Sequence, residues 1–487
     1  MRQVSDSRTD SLFYKITFCG VLLSGAIAVG YLTAYVGELV PLLTIFISVA
    51  VVFLTVLFRR PITGLFFLLG YGFTLFFFSR ELGLNIQWGI GQELLLLLTW
   101  IATVFYRDKN EWTVLSSDIV WLTVAWFGLS VLQIANPSGV SVMGWLNEIR
   151  TTALVPLLTI PLTMLLFRSQ KHLNTFLKIG IIFSLLATLN GIKQLYFTLS
   201  PGEMEFLTEN ARTHMIFGQL RVFSFFSDAG QFGASQAHFV LICFILAIGP
   251  FAYWKRALLV IAGVVLFYGM MISGTRGAFF VLSGVLVGLL LTKNFKILAV
   301  GLVMLLCLIM FLKYTSFGQG NYHVRRLRTA LNPTEDASFQ VRMNSQLALR
   351  DYLQDKPFGG GLGSIGANGK IYNPGTFLAN VEPDSYWVKV WAMYGLVGLT
   401  LWFCMMLYII GKCCGIIWNI RDPILKIKLI ALVSGALGVF ISSYGNEVIN
   451  RVPASLVVLM SCAIVYIAPR WDMKPDETGS ITSVIKQ

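Results

Sequence analysis

Two carboxylates stand close together in Val381-Glu382-Pro383-Asp384-Ser385-Tyr386-Trp387, just ahead of a long apolar run. Carboxylates among aromatic residues at such an edge are suited to take a proton from a hydroxyl. Asp384 and Glu382 are therefore candidate general bases. Asp384 or Ser385 could also cap the helix that follows, since a side-chain oxygen there accepts a backbone N–H. Arginine supplies the complementary chemistry. Arg221 lies in Leu220-Arg221-Val222-Phe223-Ser224-Phe225-Phe226-Ser227-Asp228, and Arg276 in Ser273-Gly274-Thr275-Arg276-Gly277. A guanidinium presents a fixed fork of donors that matches phosphate or carboxylate, whereas lysine is a point charge. Arg221 and Arg276 are thus candidates to hold an anion. A snorkelling arginine in an aromatic belt is the alternative for Arg221, and a turn anchor for Arg276.

The stretch after Pro333 has helical periodicity over 334–356. Arg342, Gln346 and Arg350 form a polar row, and Phe339, Met343 and Leu347 an apolar one. Such a helix is expected to lie in a membrane interface, with Arg342 and Arg350 offered to a substrate. Phe358-Gly359-Gly360-Gly361-Leu362-Gly363-Ser364-Ile365-Gly366 follows. Its formal G-x-G-x-x-G match has no strand before it and no GK[ST], so dinucleotide binding is excluded. The glycines instead shape a loop against a substrate or against another segment. Glu93, Asn190 and Lys193 fall in or near apolar runs, where ionisable groups are functional candidates unless they simply pair. His172, His214, His238 and His323 are scattered without ligand spacing, and no metal site is expected. The seven cysteines show no disulfide framework and no CxxC pattern.

These residues have to be positioned by apolar helices. Of the 487 residues, 56% are hydrophobic and 13% charged, with a mean hydropathy of +0.72, outside the range of soluble domains. The charges cluster between apolar runs long enough to cross about 30 Å of hydrocarbon. The runs are 16–36, 39–58, 61–79, 89–106, 118–135, 149–167, 176–199, 231–250, 257–274, 277–292, 295–312, 386–411, 427–445 and 454–469. The run at 61–79 is short, and that at 149–167 contains Pro156 and Pro161. With both termini inside, alternate connections hold 21 Lys+Arg against 9 Asp+Glu, and the outer ones 16 against 15. That asymmetry is the positive-inside pattern. It explains the net charge of +13 without any nucleic acid. The inner charges are topological anchors. The outer basic residues are mostly arginines: Arg80, Arg150, Arg212, Arg221, Arg276, Arg325, Arg326, Arg328, Arg342, Arg350 and Arg451. Positive charge is disfavoured on that side, so an acidic-sugar or pyrophosphate ligand is one reason for them.

The expected fold is all-α, a polytopic integral membrane protein of about 14 transmembrane helices with a large loop between spans 11 and 12. Five segments follow along the chain: N-terminal helices and a first outer loop (1–230), helices with the Arg276 turn (231–312), the long loop with its amphipathic helix (313–385), C-terminal helices (386–470) and a tail (471–487).

Over about 215–400 the order of motifs resembles the O-antigen ligase and O-antigen polymerase superfamily. The motifs are an arginine followed by a small-acidic segment, a Ser-x-x-Arg-Gly turn, Arg342 with a helix, and then Pro357-Phe358-Gly359-Gly360-Gly361-Leu362-Gly363. The superfamily consists of bacterial inner-membrane glycosyltransferases of the C type that use lipid-linked sugars. The resemblance implies that Arg221 and Arg276 hold the pyrophosphate of an undecaprenyl-pyrophosphate-linked oligosaccharide. It implies an acceptor glycan and the lipid bilayer as further partners, alongside other polysaccharide-assembly proteins. No cofactor is implied, because the lipid pyrophosphate is already activated. Ligases carry a His-Asn or His-Ser pair about eleven residues before a glycine. Counted back from Gly395, that place holds Asp384 and Ser385, which points to the polymerase branch. The product would be O-antigen, capsule or exopolysaccharide, made on the periplasmic face. The alternatives are an O-antigen ligase or O-oligosaccharyltransferase, and a lipid-linked sugar flippase or transporter. No internal repeat of the transporter kind is visible.

Overall fold

Hydropathy and helix-forming backbone act together here, because a chain in lipid must satisfy its own N–H and C=O groups. The computed structural model describes residues 23–27, 29–35, 37, 39–83, 87–106, 112–139, 141–216, 218–315, 328 and 337–472. Arg325, Arg326 and the expected tail from 473 onward lie outside the described residues, as does the start of the first expected span. Nine described helices are long and apolar enough to cross a membrane, and five shorter apolar ones (10–17 residues) accompany them. Each expected run overlaps one of these helices, but only nine of the helices are long and apolar enough to count as spans. The protein is an all-α multi-pass membrane protein, and among the described residues the strands are one short antiparallel pair, Met215–Ile216 with Gln219–Leu220.

The packing divides the chain into two units, Met1–Thr63 with Ile101–Arg107, and Gly64–Trp100 with Asp108–Gln487. The first holds α1, Leu39–Arg59. The second contains α2 (Ile62–Leu82, from Gly64), α3 (Gly89–Phe105, to Trp100), α4 (Asp118–Leu132), α5 (Val142–Ile149), α6 (Val155–Leu166) and α7 (Gln170–Tyr196). It continues through α8 (Pro201–Glu209), α9 (Ala211–His214), α10 (Ala229–Ile248), α11 (Tyr253–Ile272), α12 (Arg276–Val281), α13 (Val285–Leu291) and α14 (Phe295–Tyr314). Then come α15 (Ala337–Leu353), α16 (Gly366–Tyr372), α17 (Tyr386–Asn419), α18 (Pro423–Ser442), α19 (Ala454–Ile467) and α20 (Pro469–Asp472).

At the centre of the larger unit is α10, which packs on α11, α12, α7 and α18. Small residues let the backbones approach. A Cβ on Gly284 would collide with the Ser434 carbonyl, and one on Gly438 with that of Val281. The proline-containing span begins earlier than expected, at Val142, and passes through a π turn, Arg150–Leu154, before Pro156. Pro156 cannot donate to the Thr152 carbonyl, which takes the Trp126 indole N–H instead (3.2 Å). The short third expected run extends to a full 21 residues as α2. The loop helix α15 leaves the described part of the expected apolar row open, as a row turned toward lipid would be. Its packed side carries Leu349 and Leu353, both buried, and the helix touches α17, whereas Met343 and Leu347 stay exposed. One face of an isolated helix is legible from periodicity, but which apolar face docks depends on its neighbour.

Candidate functional site

The arginine corner is built from the loop before α10. Arg221 leaves the small hairpin with its N–H on the His214 carbonyl (2.8 Å). Its Nη1 donates to the Thr213 carbonyl (2.9 Å) and its Nη2 to Thr275 Oγ1 (2.9 Å). Thr275 is the N-cap of α12, whose first residue is Arg276, and its hydroxyl donates in turn to the Ala229 carbonyl (2.9 Å). Arg221 is thereby held at the residue preceding Arg276, and both are half-buried. Asp228 caps α10, Oδ1 accepting from the Gln231 N–H (2.9 Å). The preceding turn is over-determined. Ser224, at φ 49°, donates its hydroxyl to Ala187 (2.6 Å) and its N–H to Gln194 Oε1 (2.9 Å). Arg80 donates to the carbonyls of Phe226 (2.8 Å) and Ser224 (2.5 Å), and lies over the rings of Phe206 and Phe223. Arg80 therefore braces the loop.

The three further candidates, Glu93, Asn190 and Lys193, pair within the protein. Glu93 meets Arg150 (2.8 Å). Lys193 and Asn190 both bond Glu203 of α8, at 2.6 and 3.2 Å. Burial would raise the Glu203 pKa, but these partners and the Ser200 N–H lower it. Beside Arg221, burial lowers the His214 pKa, and the positive charge of Arg221 acts the same way.

The carboxylates sit at the start of α17. Ser385 is the cap, its hydroxyl accepting from the Val388 N–H (3.3 Å). Asp384 is therefore released from capping, and its Oδ2 accepts from Arg342 Nε (3.0 Å). Asp384 remains 54% exposed, open to an incoming hydroxyl. Glu382, two residues earlier, pairs with Lys370 of α16 (2.5 Å). Arg350 meets its neighbour Asp351 (3.3 Å), both well exposed. It stands two turns along α15 from Arg342, about 12 Å by the helical rise, and is not drawn to Asp384. A cavity of about 370 Å³ opens beside these turns, lined by Gln346, Trp387, Trp391, Phe403 and Tyr444 among others.

The glycine loop serves another segment of the chain. α17 is broken at Gly395 (φ 70°, ψ −170°), a conformation open only to glycine. The break frees carbonyls, and the loop restores their bonds: Gly360 N–H to Ala392 (2.8 Å), Gly361 N–H to Met393 (3.0 Å), with the Val397 N–H to Pro357 (3.2 Å). Neither glycine at the contact tolerates a side chain. A Cβ on Gly395 would strike the Pro357 carbonyl, and one on Gly359 the Gly395 nitrogen. Asn136 donates to the Phe358 and Gly359 carbonyls (3.0 and 3.2 Å) from the other side.

Behind Asp384 lies a buried charge network. Lys389 Nζ bonds Glu148 Oε1 (2.9 Å) and Glu447 Oε1 (2.6 Å), and Arg451 Nη2 bonds Glu447 Oε2 (2.8 Å). Glu148 is 1% exposed and Lys389 9%. Asn368 of α16 donates to Glu148 Oε2 (2.8 Å), tying the loop to the helices. Burial would raise the Glu447 pKa, yet Lys389 and Arg451 outweigh it and hold it at about 2. The sequence signal for this network was available. Lys389 interrupts the apolar run Trp387-Val388-Lys389-Val390-Trp391 as Lys193 interrupts its own.

No curated protein matches the chain. Residues 261–403 match the family described as O-antigen ligase. That segment includes Arg276, Arg342, the glycine loop and Asp384, but not Arg221 or the turn carrying Glu447. Over that segment, about three tenths of the chain, it is similar to the O-antigen ligase family, in line with the resemblance that its motifs carry.

Proposed function

We propose that the chain is a membrane glycosyltransferase, a polymerase that moves glycan from an undecaprenyl-pyrophosphate-linked donor to an acceptor sugar on the periplasmic face. The observation that carries the reading is the bond from Arg221 to Thr275, which gathers two arginines far apart in sequence at one corner. Paired guanidinium groups aimed at a pyrophosphate stabilise charge as it develops on a leaving group. Asp384 takes the proton of an acceptor hydroxyl. The hydroxyl oxygen bonds to the donor anomeric carbon as that carbon's bond to the pyrophosphate oxygen breaks, and the electron pair leaves with the lipid pyrophosphate. Arg342 orients the Asp384 carboxylate, Glu382 is its substitute, and Arg350 is a more distant contact for the glycan. The aromatic cavity beside Trp387 and Trp391 suits a lipid chain or a sugar face.

The test is polymerisation of purified lipid-linked repeat units. Arg276→Ala and Asp384→Asn should each slow it by about 100-fold or more. Normal activity in Arg276→Ala would sink the leaving-group role. A ligase that moves finished glycan to another acceptor is the second reading, favoured by the description of the matched family. Gene deletion separates the two. Loss of a polymerase leaves single repeat units attached to the surface, and loss of a ligase leaves free lipid-linked polymer.

A further inference from the structure

We infer that the turn from Ser442 to Arg451 is a bracket that sets the spacing between Asp384 and the Arg221–Arg276 corner, with Lys389 as the positioning residue that clamps it. The inference rests on the polymerase reading and names how its two halves are held in register.

The turn is bonded on both sides. Toward the arginine corner, the Ser442 hydroxyl donates to the Gly277 carbonyl (2.8 Å), next to Arg276. The Glu447 carbonyl accepts from Gln231 Nε2 (2.5 Å), within the first turn of the helix that Asp228 caps. Asn446 packs against Gly277 so closely that a Cβ there would strike its amide. Toward the carboxylate, the Ser443 carbonyl accepts the Tyr386 N–H (2.9 Å) and the Ser385 hydroxyl (3.3 Å), two residues and one residue after Asp384. Lys389, five residues after Asp384 and in the first turn of α17, then grips Glu447 and, behind it, Glu148. One segment therefore touches both halves of the proposed chemistry, and a buried cation locks it to the half that carries the base.

Stability alone is a poor reason for this network. Burying charges costs desolvation that their attraction repays only in part, and apolar replacements of buried ion pairs are often as stable or more so. The arrangement does buy geometry: a charged strut has one well-defined length, and about 1 Å of misplacement between reacting groups can cost on the order of 100-fold in rate.

The test uses the purified full-length chain with lipid-linked repeat units. Three quantities are read: the transfer kcat, the donor KM, and the fraction of donor cleaved by water instead of acceptor. In that side reaction water oxygen bonds to the anomeric carbon, the pyrophosphate leaves with its electron pair, and a proton goes to solvent. Lys389→Met is made alone and with Glu148→Gln and Glu447→Gln, the triple variant leaving no uncompensated buried carboxylate. A bracket predicts that the triple variant melts near wild type, keeps its donor KM, loses about 100-fold in kcat and hydrolyses a larger fraction of donor. Wild-type kcat in the triple variant overturns the bracket. So does a lower kcat accompanied by a lower melting temperature and an unchanged hydrolysed fraction, which is the mark of a merely structural role. Wild-type rates in both Asp384→Asn and Arg276→Ala would instead overturn the polymerase reading, and the bracket with it.

Discussion

Glu447 has two cations on one carboxylate, and its chemistry can be followed by pH. Its folded pKa, about 2, lies below its ordinary value of 4.5 because Lys389 and Arg451 favour the charged form against the opposing effect of burial. A depressed carboxylate contributes stability that is fully present above pH 4.5 and is lost as pH falls toward 2. Thermal melts in detergent should therefore show an acid limb across that window, and Glu447→Gln should flatten it. An identical acid limb in the variant would remove Glu447 from the account. At Asp384 the expectation concerns proton transfer. Asp384→Glu keeps the carboxyl chemistry but shifts its oxygens away from Arg342, so it should retain more activity than Asp384→Asn in the polymerisation assay.

At the scale of elements, the break in α17 is the feature most sensitive to single substitutions. Gly395→Ala places a side chain in a glycine-only conformation and against the Pro357 carbonyl. The expected loss is about 3 kcal/mol or more, read as a large fall in melting temperature. Gly411, in the second half of the same helix, has nothing within 4 Å of its Cβ position. Gly411→Ala should be neutral or stabilising by up to about 1 kcal/mol. If the two substitutions shift the melt equally, the splint formed by Gly360 and Gly361 is not what holds the break. The same splint connects the long loop to α17, the helix that starts just after Asp384.

At the scale of the whole molecule the open quantity is which helix ends face out, and the charge asymmetry makes a definite prediction. A cysteine at Asp355, beyond α15, should be labelled by a membrane-impermeant maleimide from the outside of intact cells. One at Asn294, between α13 and α14, should be labelled only after permeabilisation; the reverse pattern would invert the topology. For these, the reactive native cysteines are first replaced. Much of this scale was legible in the residues. Every expected apolar run overlaps a helix, nine of them long enough to span, because length and hydropathy are local properties and lipid leaves the backbone only self-satisfied helix or a closed barrel. Ser385 as a possible cap and the glycine loop as a partner to another segment were also within reach, since each depends on a few adjacent residues. What only the tertiary structure decided is who meets whom. Arg342 turns to Asp384, Arg80 to two carbonyls, Arg221 to the residue before Arg276, and Lys389 to carboxylates on two other segments. The buried face of α15 belongs to the same class. These pairings join residues distant along the chain, and their energies depend on burial and geometry that hydropathy and spacing do not encode.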